Sequence, residues 1–436
     1  MPRLIITLAF LVVLVGPAGA AEQSGPFPVP DYSGDLLHRS TLTGDWWHRR
    51  TKLEEQGVTV DIDVLQVYQN IVDGDDKGGE YGGSLDYNLY LDFQKMGLWP
   101  GAFVNVYGET QFGDSVIGRS SILASNTDAL LPVPNESIST LSALTFYQFL
   151  SEYFGVFFGK VQTFDGDTNA FASGRGKTQF LHQNFVINPT LLMSIPYSGL
   201  GAGVVILPTK TSILTLFAMD KEGDPRHWGF DTAFKDATSA AAEGRIGIRP
   251  FDLPGHQLLG FTYTDKDSVE LDNRIQVRCL IPTPPGGGKL RDCKLHKSSD
   301  QWAVYYNFDQ FVYADPRDDK QGIGLFGRFG AGDPDTNPIE WFASIGIGGK
   351  GLIPGRAADA YGIGYYFAGL NSHLGSRKIL NRDISQLEDG SGFEIFYNIE
   401  VVPWLHLTPD LQVMEPGLKR RDDTAVVLGG RCLIDL

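Results

Sequence analysis

Hydrophobic and polar residues alternate along most of this chain. In SLDYNLYLDF, residues 84–93, Leu85, Tyr87, Leu89, Leu91 and Phe93 share one parity, and Ser84, Asp86, Asn88, Tyr90 and Asp92 share the other. Side chains of a β-strand point alternately to opposite faces. The spacing therefore predicts a strand with one apolar face and one face carrying carboxylates and an amide. Such a strand suits a soluble sandwich, with its apolar face in a core. It equally suits an outer-membrane barrel, with that face in lipid and the polar one on a lumen.

The same reading gives sixteen strands: Val58 to Val67, Ser84 to Phe93, Ala102 to Glu109, Ala143 to Leu150, Phe154 to Gln162, Gly201 to Leu207, Ser212 to Asp220, Gly244 to Phe251, Gln257 to Asp265, Trp302 to Asp309, Gly322 to Gly330, Trp341 to Gly348, Ala360 to Phe367, Gly392 to Val402, Leu405 to Val413 and Thr424 to Leu436. Short links (151–153, 208–210, 252–256, 403–404) alternate with long polar ones (110–142, 163–200, 221–243, 266–301, 368–391), although the supposed turns at 310–321 and 349–359 are longer than this rule prefers. Short turns at one end and long loops at the other are the arrangement of outer-membrane barrels. No repeat of about 40 to 50 residues marks propeller blades. The chain also stops inside a strand, with Leu428, Gly430, Cys432, Ile434 and Leu436 on one face, as a strand closing a barrel against the first would.

These features predict an all-β fold: a 16-stranded antiparallel transmembrane β-barrel over 58–436, preceded by a short N-terminal periplasmic helix within 21–57. Thr43 or Asp45 can cap that helix and Gly57 can end it. Residues 1–20 read as a secretory signal peptide, in which Arg3 precedes an apolar run from Leu4 to Val15 and the Ala18-Gly19-Ala20 cleavage site. In this assignment the apolar face, Leu85 to Phe93, meets outer-membrane lipid, while Asp86, Asn88 and Asp92 face a wet lumen. Strand backbone groups then pair around a closed circuit, as hydrocarbon surroundings require.

Charge and chemistry narrow the function. The formal net charge of -16 becomes -17 once a signal peptide carrying only Arg3 is removed. So acidic a chain argues against nucleic-acid partners. No GxSxG, HExxH or phosphate-loop motif is present, which points away from an enzyme and calls for no cofactor. Cys279 and Cys293 flank a turn-rich segment and are expected to pair, closing a loop worth about 3 kcal/mol in a chain-entropy account. No CxxC spacing supports a zinc site instead.

Candidate binding chemistry lies on the lumen parity. Lys160, Gln162, Arg245, Arg249 and Arg328 supply donors, and Asp86, Asn88, Glu109, Glu394, Asn398, Glu400 and Asp410 supply mostly acceptors. Opposed cationic and acidic walls would impose a transverse field and hydrogen-bond polyhydroxylated solutes. A 16-stranded barrel leaves a water-filled channel unless loops fold inward, and the connection from Thr163 to Leu200 is the candidate constriction.

That connection, VQTFDGDTNAFASGRGKTQFLHQNFVINP with the following IPYSGLGAGVVILP, resembles the carbohydrate-selective porin family of the OprB type. LTGDWWHRRTKLEEQGVTVDID, including Gly44, Asp45 and Trp46, resembles the family's approach to its first strand. EIFYNIEVVPWLHLTPDLQVMEPG, with Trp404, Pro409, Asp410 and Gln412, resembles its closing strands. Trp47, the terminal Leu436 and the DPRDDK turn depart from the family pattern. The resemblance implies passive diffusion of small sugars through an eyelet of charged and aromatic residues. It leaves open whether copies assemble into a homo-oligomer. The alternatives are a general or anion-preferring porin, motivated by Arg245, Arg249 and Arg328, a closed adhesive barrel, and, in a different class, a secreted soluble all-β carbohydrate-binding protein.

The facing assignment is testable. Leu89→Arg is expected to block barrel assembly, since a midplane charge on the lipid face costs about 2–4 kcal/mol, whereas Asn88→Arg is expected to assemble and alter conductance. Folded barrel on an unheated denaturing gel is the readout, and equal assembly of the two variants would reverse the facing.

Overall fold

The computed structural model describes residues 31–271, 297–371, 387–417 and 423–436, together with the backbone of two short strands at 378–379 and 382–383. The proposed signal peptide and the expected Cys279/Cys293 pair lie outside the described residues. Sixteen antiparallel strands close into one barrel. In chain order they are β1 (Val58–Asp73), β2 (Gly78–Asp92), β3 (Ala102–Gly113), β4 (Ile138–Ser151), β5 (Phe154–Gln162), β6 (Ser198–Thr209), β7 (Ser212–Asp220), β8 (Thr238–Ile248), β9 (Gly255–Thr264), β10 (Gln301–Asp315), β11 (Asp318–Gly332), β12 (Ile339–Lys350), β13 (Ala360–Leu370), β14 (Gly390–Val402), β15 (Leu405–Met414) and β16 (Ala425–Asp435). Each strand matches one expected from the alternation. Closure pairs β1 with β16, Val64 opposite Ile434 and Val67 opposite Arg431, so the sheet has no free edge.

The strands run longer than their alternating cores. The expected turn at 310–321 shrinks to residues 316–317, because β10 and β11 extend to Asp315 and from Asp318 and Arg317 clamps the Asp315 carboxylate at 3.0 and 2.7 Å. The turn at 351–359 stays long and is braced by an Ile353–Arg356 bridge. Apart from 93–101 and 351–359, the links at this end have six residues or fewer, whereas the opposite end carries the connections 114–137, 163–197, 221–237, 265–300 and 371–389. In outer-membrane barrels an end with such short turns faces the periplasm.

The helix forms, but later than the capping residues suggest: it spans Arg49–Glu55 with His48 in the left-handed region at its start. Asp45 still satisfies a first-turn donor, accepting from the Thr51 amide at 2.8 Å, and Gly57 ends the helix with φ 88°. Only glycine fits there, since a Cβ would meet the Asp92 carbonyl at 2.5 Å. Arg50 is buried beneath this segment. It donates to the Leu436 and Val60 carbonyls, both at 2.8 Å, and its guanidinium lies 4.5 Å from the Tyr32 and Trp46 rings. The segment before the barrel is thereby strapped across the seam where first and last strands meet.

The largest apolar cluster is not between sheets but inside the barrel. The 163–197 connection folds inward and places Phe171, Phe180 and Phe185 against Phe311, Phe326, Phe342 and Phe396 on the lumen face of β10–β14. The glycine-rich runs of β11–β13 make room for it. A Cβ at Gly364 would meet Phe185 at 2.5 Å, and one at Gly348 would overlap Phe171. Burying each such ring stabilises by about 1.5–3 kcal/mol. Polar groups complete the docking. Arg328, fully buried, donates to the Asp167 carboxylate at 2.8 Å and to the carbonyls of Phe185, Asp167 and Ala172 at 2.6–2.8 Å. Glu394, also fully buried, accepts from the Leu181 and His182 amides at 2.6 and 2.9 Å, and Arg431 caps the Gly176 and Gln179 carbonyls at 2.5 and 2.6 Å.

Because Asp167 and three carbonyls would be left buried without their cation, Arg328→Ala is expected to destabilise the docked connection by about 3–5 kcal/mol while the barrel still assembles. Gly364→Leu, which clashes with Phe185, is expected to act in the same direction. Limited proteolysis within 163–197 of the folded, detergent-purified protein reads this out. Wild-type resistance in both variants would mean that these contacts do not hold the connection.

Candidate functional site

The inward connection carries a turn, Ser173-Gly174-Arg175-Gly176-Lys177, in which Gly174, Arg175 and Gly176 all have positive φ. Glycines on both sides let the chain reverse tightly and thrust Arg175 across the lumen toward β3. There its guanidinium lies 4.5 Å from the Tyr107 ring centre. It donates to Tyr197 Oη at 2.8 Å and to Glu109 Oε1 at 3.3 Å, and stands 3.6 Å from Asp165. Glu109 is buried and also accepts from Tyr197 at 2.7 Å, from Tyr107 at 3.1 Å and from Ser142. Asp165 is different: its side chain is 66% exposed, against 18% for Arg175. A fixed cation backed by rings and a buried carboxylate thus faces a carboxylate that still meets water.

Lys177, two residues on, bridges Asp63 and Asp86, the latter at 2.6 Å, and Tyr107 donates to Asp86 as well. Burial disfavours the Lys177 ammonium, yet the carboxylates of Asp63, Asp86 and Asp128 outweigh it and raise its pKa, so the lysine stays charged. His182, buried in the same connection, is pushed down to about 3 by desolvation and stays neutral near pH 7. A second connection, 114–137, packs beside the first. Thr127 donates its amide to the Leu181 carbonyl at 2.8 Å, and Gln69 and Gln412 hold the Ser125 carbonyl at 3.1 and 2.9 Å.

Two cavities border this region. One, of about 440 Å³, is lined by Asp63, Asp165, Arg175, Lys177, His406 and Asp435. The other, of about 390 Å³, lies against β4–β9 and includes Tyr147, Phe157, Phe217, Glu243 and Arg245. Asp165, Gly166 and Thr168 belong to both linings, so the start of the inward connection forms their shared border.

The strand residues expected to line the lumen divide by role. Asp86 and Glu109 are brought together at the Arg175/Lys177 turn, and Asn88 is half-buried on the same face, paired in register with Asp61 and Tyr107. Arg245 lines the second cavity. Arg328 and Glu394 are anchors of the inward connection. Lys160 is buried beneath another link, donating to the carbonyls of Asp224, Pro225 and His227 at 3.2, 3.0 and 2.6 Å. Arg249 sits in the 249–254 turn beside Asp319, and Glu400 lies near the 403–404 turn, its amide bonded to Asp359; neither is brought to the Arg175/Lys177 turn. Asn398 bonds Thr408 and His406, and Asp410 accepts from Gln412. Strand cations and strand acids therefore do not form two opposed walls. The cations at the Arg175/Lys177 turn come from the loop. Arg175 and Lys177, missed by strand parity, are signalled in the sequence only by glycines flanking a basic residue within the connection already expected to fold inward.

Comparison with known proteins agrees with this architecture. The sequence pattern of the carbohydrate-selective porin, OprB family matches residues 76–436. Porin B of Pseudomonas aeruginosa is 23% identical over 430 residues, covering 89% of each chain. Among solved structures, the high-pH structure of Pseudomonas putida OprB superposes with a TM-score of 0.77 at 19% identity, covering 92% of this chain and all of that one. The low-pH structure of the same protein gives 0.55 at 16% identity, with 92% and 99% covered. A closed sixteen-stranded barrel, an inward connection carrying Arg175 and Lys177, and a family match over most of its length make this chain a member of the OprB carbohydrate-selective porin family, a channel protein of the outer membrane.

Proposed function

We propose that the barrel passes small neutral sugars by passive diffusion and selects them at the group formed by Arg175, Glu109, Asp165, Tyr107 and Tyr197. The observation that carries this reading is the Arg175 guanidinium. It is held by Tyr107, Tyr197 and Glu109 and turned toward the exposed Asp165 carboxylate. A sugar entering there exchanges hydration water for the arginine's donors and the aspartate's acceptors, with no net charge required of the solute. Binding must stay weak, because a solute held tightly does not leave. The apolar outer face, with Leu144, Phe158, Ile345 and Leu428 exposed, suits contact with outer-membrane lipid. An anion-preferring pore has less support, since Arg328 and Lys160 are committed to carbonyls and a carboxylate of the inner loops.

Single-channel conductance of the purified protein in planar bilayers tests this. Glucose is expected to reduce the conductance saturably, and Arg175→Ala is expected to raise the half-blocking concentration by about tenfold, the loss of one charge-assisted contact. A wild-type conductance that falls only as solution viscosity predicts would rule out a saccharide site.

A further inference from the structure

The second cavity joins an aromatic surface to a pair of charged side chains. Phe157 lies 5.7 Å from Tyr147 and 6.3 Å from Phe217, forming a continuous ring surface across β4, β5 and β7. The intervening β6 contributes Gly203 at this level, and a Cβ there would meet Phe157 at 2.6 Å and Phe217 at 2.5 Å. The missing side chain is what lets the rings meet over the sheet. The same cavity is lined by Glu243 and Arg245 of β8.

Arg245 is the unusual member. The buried arginines Arg50, Arg328 and Arg431 all donate to backbone carbonyls. The Nε of Arg245 is buried without a hydrogen-bond partner, as are those of Arg50 and Arg431, but among the described residues its guanidinium also donates to no carbonyl, and its ion-pair partner, Asp309, stands 3.9 Å away, beyond hydrogen-bonding range. Its side chain is 27% exposed. Glu243 accepts from Tyr305 at 2.7 Å and from the Asp167 amide at 2.9 Å, both at Oε2, which leaves Oε1 as an acceptor. An apolar ring surface, a fork of unspent donors and a carboxylate oxygen thus border one space of about 390 Å³.

We propose that this cavity is a second saccharide subsite, for a neutral pyranose, reached after the constriction; the proposal rests on the sugar-diffusion reading above. The sugar's C–H face lies on Phe157 and Phe217, and two neighbouring hydroxyls take the guanidinium donors of Arg245. Glu243, Asp165 and Asp309 make the surroundings acidic, so a sugar carboxylate is disfavoured. Arg245 lies three residues from the end of β8 at the short-turn side, which puts the subsite on the periplasmic side of Arg175. The shared border at Asp165 and Thr168 offers a short transfer between the two positions.

The test uses the full protein in planar bilayers, with glucose as probe and gluconate as its anionic counterpart, on wild type, Arg245→Gln and Phe217→Leu. Both variants are expected to raise the half-blocking glucose concentration, by about tenfold for Arg245→Gln. Gluconate is expected to block less well than glucose. Should one variant fail to fold on the unheated gel, the other decides. Wild-type half-blocking concentrations in the folded variants, with Arg175→Ala still weakened, would overturn the second subsite and leave the constriction standing. Stronger block by gluconate would overturn its neutral-sugar character, and absence of saturable block in the wild type would overturn both readings together.

Discussion

Closure of the sheet is the constraint on which everything else depends. In hydrocarbon an unpaired backbone N–H or C=O costs several kcal/mol, so a sheet can cross a membrane only if its last strand pairs with its first. Here β1 and β16 pair from Asp63 opposite Asp435 to Asp73 opposite Val426, and Arg50 bridges that seam from the segment before the barrel. Sixteen strands meet the backbone requirement but enclose more space than inward side chains can fill. The protein fills it with chain, and the channel's properties follow from how that chain is held.

Holding a connection inside a barrel is a problem of unpaired backbone. Residues 163–197 contain only short helical turns, Gly174–Gly176, Gln183–Val186 and Pro189–Met193, so many of their peptide groups lack partners of their own. The strand wall supplies them. Arginines at 328 and 431 take carbonyls, Glu394 takes amides, and Asn307 grips the Asp167 and Thr168 carbonyls at 2.9 and 3.1 Å. Apolar contacts set the depth: smooth glycine positions on β11–β13 admit the phenylalanines of the connection, which a lumen lined throughout by larger side chains would keep out.

The division of charge has a functional consequence. Strong electrostatics is spent on structure where ions are fully buried, as at Arg328 with Asp167, both nearly without exposure. At Arg175 and Asp165 the side chains stay partly exposed, and on the proposed reading they exchange water for sugar hydroxyls. Two arginines on neighbouring walls illustrate the difference. Arg328 is saturated by its partners, while Arg245 retains unspent donors, and the distinction lies in whether the inward connection covers them.

The strands, their facing and the link that turns inward can be read from the order of residues alone. Strand periodicity is a property of two successive residues, and a turn or loop announces itself within a few more, so SLDYNLYLDF already separates an apolar face from a polar one, and the strand count with its alternating loop lengths turns the apolar face outward. All sixteen strands and the 163–200 connection were legible for that reason, while strand ends were not, because ladders persist past the alternating pattern, as in β1, β10 and β11. Which charges are free depends on the folded path of the inward connections. Arg175 meets Glu109 across 66 residues of sequence and Leu181 meets Glu394 across 213. Parity can place Arg328, Lys160 and Glu394 on the lumen side, but only the path of the folded-in chain converts them into anchors and sets Arg175 against Glu109 and Tyr197.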